Sequence, residues 1–94
     1  MLLERAELLI REGQEDAFSA AMKGEGIGTL ASVPGVKSVN LGRGVENPGK
    51  FLLLVEWADM DAHAAYNKTV VCGEIRTLIG RFSKGGSMEH FRMG

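Results

Sequence analysis

Cys72 is the only cysteine in the 94-residue chain, so no disulfide can form within it. Two histidines, His63 and His90, stand too far apart in sequence for a zinc-staple pattern, which wants three or four ligands. Charge of one sign is missing as well. Eleven basic and 12 acidic residues give a net charge of −1, which leaves no electrostatic footprint for nucleic acid or an anionic membrane. No run approaches the roughly 18 apolar residues of a membrane span. Glu4, Arg5 and Glu7 interrupt the opening segment, so it lacks the apolar region of a signal peptide. No polar low-complexity tract marks disorder. With one free thiol, a cytoplasmic location is the default expectation.

What is present is ordinary for a globular chain: 45% apolar and 24% charged residues. Residues 1–94 are expected to form one domain. A chain of this size buries only roughly 60–65% of its unfolded surface and needs a further source of stability. Disulfides and a metal staple are absent from the pattern, which leaves self-association.

Arg5 to Arg11 sets Ala6, Leu8 and Ile10 against Glu7, Leu9 and Arg11, the period of a strand. Ala17, Phe18, Ala21 and Met22 then follow helical spacing. Gly24, Gly26 and Gly28 predict a break before a short turn at Ile27, Leu30 and Ala31. Val36 to Leu41 alternates again, and FLLLVEW over 51–57 is a nearly continuous apolar strand, a pattern that implies burial on both faces. Asp59 or Asp61 is placed to cap the next helix, whose stripe is Val71, Ile75, Leu78, Ile79 and Phe82. Ser83 to Ser87 reads as a loop and Met88 to Met93 as a last strand. The order β-α-β-β-α-β is the split pattern of a ferredoxin-like α+β fold, with a four-stranded antiparallel sheet and helices on one face only. The uncovered apolar face predicts a homodimer packed sheet to sheet.

Several patterns imitate chemistry. GVENPGKF over 44–51 falls one hydroxyl short of a phosphate-binding loop, a strand follows its lysine, and Pro48 removes an N–H donor. The three glycines follow a helix rather than a strand, unlike a dinucleotide fingerprint. Glu12, Glu15 and Asp16 suit the entry of a helix, where carboxylates favour the dipole. Cys72 lies beside the apolar stripe with no activating cation next to it and reads as a buried thiol. His63 falls early in the second helix and His90 in the last strand; each alone is an ordinary surface or core histidine. Trp57 is core or the flat wall of a pocket. Tyr66 shares a helix face with His63.

The segments GQEDAF, PGVKSV and RGVENP, the strand ending EW, then DAH and EHF, resemble the antibiotic biosynthesis monooxygenase family over essentially the whole chain. The resemblance implies a dimeric α+β barrel and a pocket between sheet and helices in each subunit. It implies a monooxygenase that oxidises a small phenolic, polyketide-like molecule without metal or flavin, hence no cofactor. His63 or His90 would serve as base, and Tyr66, Trp57 or Arg76 would bind substrate and stabilise the oxyanion. Haem-degrading relatives use an Asn, Trp and His set, where this chain has Glu7, Tyr66 and Arg76, so haem chemistry is not implied. A small-molecule isomerase or a non-catalytic ligand-binding homodimer of the same fold is the alternative.

Overall fold

In the computed structural model, which describes residues 1–94, the first strand is longer than its alternation suggests: β1 spans Leu2–Ile10. Leu2, Glu4, Ala6 and Ile10 are buried, while Leu3, Arg5, Glu7 and Leu9 lie half-buried on the other face. Glu4 therefore occupies a position that its neighbours mark as core.

The glycine-rich stretch does not break the helix. Helix α1 (Glu15–Ala21) passes through one wider π turn, Met22–Gly26, directly into α2 (Ile27–Ala31). Each glycine costs a helix about 1 kcal/mol. Burying Phe18, Met22 and Leu30 returns roughly 1.5–3 kcal/mol apiece, so packing outweighs propensity. Gly26 also makes room: a Cβ there would lie 2.6 Å from the Met22 sulfur.

Strands β2 (Val36–Arg43) and β3 (Lys50–Trp57) form a hairpin. The second crossover is two helices rather than one, α3 (Met60–Tyr66) and α4 (Val70–Gly80), before β4 (Ser83–Arg92). Asp59 caps α3 by accepting from the Ala62 N–H at 2.9 Å. Thr69 is extended and restarts the helix by accepting from the Cys72 N–H at 3.2 Å. The segment expected as a loop, Ser83 to Ser87, belongs to β4. Gly86 pairs with Leu8, and a side chain there would strike the Glu7 carbonyl, so glycine is what permits the pairing.

The sheet is antiparallel throughout, in the order β2-β3-β1-β4. This is the ferredoxin-like α+β arrangement. Phe51, Leu53, Val55 and Trp57 face the helices and are buried. Phe18 seals one end of this layer, edge-on to Phe51 with ring centroids 5.0 Å apart. The other face of β3 is open in the single chain, where Leu52, Leu54 and Glu56 are half-buried. No helix is long and apolar enough to cross a membrane.

One turn matters for the site. Gly35 has φ +88°, a left-handed conformation that L side chains adopt only at a cost. It sits against Ala62, and its carbonyl accepts from the Ala58 N–H at 2.7 Å. The start of α3 is thereby pinned to the entry of β2.

Candidate functional site

Three strangers in sequence meet under α3. β1 directs Glu4 towards the helices, and the pairing of β1 with β4 sets His90 directly opposite it. α3 then lowers His63 onto the pair. His63 Nε2 lies 3.2 Å from Glu4 Oε1, His90 Nε2 lies 3.5 Å from the same oxygen, and the two Nε2 atoms are 3.2 Å apart. The histidines, 27 positions apart in sequence, are neighbours in the fold. Glu4 is 6% exposed and His63 8%. A buried carboxylate needs a partner, and two imidazoles supply it.

Burial pushes the His63 imidazole below its ordinary value of 6.5; Glu4 opposes the shift and His90 adds to it. Burial likewise pushes the Tyr66 phenol up, and the neighbouring Cys72 adds to that shift. At neutral pH, His63 is thus a neutral imidazole and Tyr66 a neutral phenol.

The cluster forms one end of a cavity of about 270 Å³ between sheet and helices. Leu8, Leu53, Ile75 and Ile79 provide apolar wall. Tyr66 and Cys72 line it from within, and the exposed Arg76 stands at its mouth. A larger groove of about 540 Å³ runs past Glu25, Glu74 and Arg81, but it is shallower and gathers no convergent buried groups. The enclosed cavity is the better candidate for chemistry.

Four of the five residues singled out from sequence, His63, His90, Tyr66 and Arg76, line this one cavity. Trp57 does not. It is fully buried on the helix-facing row of β3 and packs behind the wall, 5.2 Å from both the His63 and Tyr66 rings. Its indole N–H has no hydrogen-bond partner. Glu4 was missed by sequence reasoning, although its place between Leu2 and Ala6 was the available signal: a carboxylate on the apolar face of a strand. Glu7 points to the opposite face, where it pairs with Arg5 at 3.5 Å, so it takes no part in the cavity.

Residues 1–78 match the family model described as antibiotic biosynthesis monooxygenase. The uncharacterized protein YczJ of Bacillus subtilis (strain 168) is 30% identical over 94 residues, covering 98% of each chain. A solved structure from Bordetella bronchiseptica, named for the same family, superposes with a TM-score of 0.86 at 25% identity. It covers 99% of this chain and 96% of the other. Another so named, from Nitrosomonas europaea, gives a TM-score of 0.84 at 14% identity over 99% and 98%, a likeness of fold alone.

Proposed function

The chain belongs to the antibiotic biosynthesis monooxygenase family, and from that premise we propose that it is a monooxygenase acting on a small phenolic or enolisable molecule. The observation that carries this reading is the convergence of Glu4, His63 and His90 at one end of a mostly apolar cavity. The cavity volume narrows the substrate class. About 270 Å³ exceeds the ~150 Å³ that holds a benzene and falls below the ~300–1,000 Å³ of drug-sized pockets. A ligand of one or two rings matches this volume best.

The chemistry asks little of the protein. A neutral imidazole of the His63–His90 pair accepts the substrate's hydroxyl proton, with Glu4 stabilising the imidazolium that forms. The Arg76 guanidinium at the mouth and the Tyr66 hydroxyl stabilise the resulting oxyanion. The apolar walls exclude water from the anion. The substrate supplies the electrons: the phenol takes one oxygen atom at a ring carbon to become a quinone, and the other oxygen leaves as water.

The sheet's open face supports a homodimer of this domain. Leu3, Leu52, Leu54 and Phe91 are incompletely buried there, among the charges of Arg5, Glu7 and Glu89. Sedimentation at micromolar concentration reads this directly; a monomer contradicts it. A proton-transfer set of this kind also suffices for an isomerase, which needs no oxygen. Oxygen uptake with small hydroquinones separates the two. Uptake in the presence of chelator, lost by at least about 100-fold in His63→Gln with the dimer intact, is the expected result. Unchanged rates in both His63→Gln and His90→Ala remove the assignment.

A further inference from the structure

We propose that Glu4, His63 and His90 form a binding site for one divalent transition-metal ion, with its open coordination positions facing the cavity. The three donor atoms come from three elements, β1, α3 and β4, and all lie within 4.8 Å of one another. Their separations are 3.2, 3.2 and 3.5 Å. Ligands about 2.0–2.2 Å from a metal lie roughly 3.4 Å apart in a tetrahedron and roughly 3.0 Å apart in an octahedron. Two edges of the observed triangle fall between these spacings, and the third, 3.5 Å, is close to the tetrahedral one. These separations are of the size that three ligands of one ion require.

Protons serve this triangle less well than a cation does. Without its proton each Nε2 presents a lone pair to the triangle, and an Nε2–H aimed at one corner turns away from the other. A metal ion accepts all three lone pairs at once. Two imidazoles and a carboxylate on one face, with positions left open, suit zinc, iron(II), cobalt(II) or manganese(II), and open positions mark a reactive rather than a structural centre. The surrounding apolar wall limits competing water. Two of the donors, on Glu4 and His63, are held by a packed interior, so little ordering is left to be done when the ion arrives.

This site is independent of the oxygenase reading and competes with it for the same nitrogen lone pairs. A metal on Nε2 of both histidines displaces the proton they would otherwise accept. The pocket therefore has two states, one with the ion and one without.

Calorimetric titration of the full, chelator-stripped chain with zinc chloride tests the proposal. The expected result is saturable binding of one ion per chain at micromolar concentration or tighter. His90→Ala, on an exposed strand, is expected to weaken binding at least 10-fold while circular dichroism stays unchanged, and Glu4→Gln to do the same. Cobalt(II) is expected to give visible absorption bands that both variants lose. No saturable zinc binding to the wild-type chain overturns the proposal, as does binding that neither variant weakens. Failure here leaves oxygen uptake in chelator untouched, and failure of oxygen uptake leaves the calorimetry untouched.

Discussion

Trp57 offers a contest between two terms of similar size. Its side chain is fully buried, and its indole N–H is unpaired. Truncating a buried aromatic to alanine costs about 3–5 kcal/mol, because the transfer term and the cavity add. Trp57→Phe removes far less, roughly 40 Å³ of side chain; at about 24 cal/mol per Å³ the void costs about 1 kcal/mol, with a smaller transfer loss beside it. The same substitution deletes an orphan donor whose burial costs about 1–3 kcal/mol. The two nearly cancel. Trp57→Phe is therefore expected within about 1 kcal/mol of wild type, while Trp57→Ala loses at least about 3. Since about 1 kcal/mol moves the Tm of a domain this size by roughly 4–8 °C, thermal unfolding at fixed protein concentration resolves them. Circular dichroism is the probe of choice, because both variants lose the chain's one tryptophan fluorophore. A loss above about 2 kcal/mol in Trp57→Phe would refute the reasoning and show that the indole N–H has a partner in solution.

Two further outcomes follow from the same geometry. Gly35→Ala forces a side chain into left-handed backbone and into Ala62, so it is expected to cost at least about 1–2 kcal/mol in urea unfolding and to shift the His63 ring resonances; a silent substitution contradicts the pinning of α3 to β2. In chelator, stability is expected to be complete above about pH 6.5 and to fall below it, because the unfolded chain takes up the His63 proton at a higher pH than the folded chain does. Glu4 and His90 are the groups facing that imidazole, and His63→Gln should lose this portion of the acid sensitivity; an identical pH profile in wild type and variant contradicts it.

The fold was legible where side-chain period and capping agree. Alternation in β1, the apolar run of β3 and the acidic cap at Asp59 each point one way, and the ferredoxin-like order follows from them. Where local preference opposes packing, the reading failed. Gly24, Gly26 and Gly28 suggested a break, yet the burial of Phe18, Met22 and Leu30 carries the helix through on a π turn. Gly85 and Gly86 suggested a loop, yet close approach to β1 keeps them in a strand. The site was half legible. His63 and Tyr66 share a helix face by spacing alone, but no spacing rule joins them to His90 or Glu4. Those two meet through strand register, which is a property of the whole sheet. Trp57 could be read as core or as pocket wall from its type, and its place at the buried end of β3 makes it core, the support behind the wall.

The chemistry of the cavity depends on the His63 and His90 rings meeting beside Glu4, tilted 59° to one another with centroids 4.4 Å apart. A nuclear Overhauser experiment on the chelator-treated protein measures this without reference to activity or metal. Cross-peaks between the two imidazole rings, in a chain whose sequence keeps them 27 residues apart, are the predicted result. Well-resolved ring signals with no cross-peak between them would contradict the account.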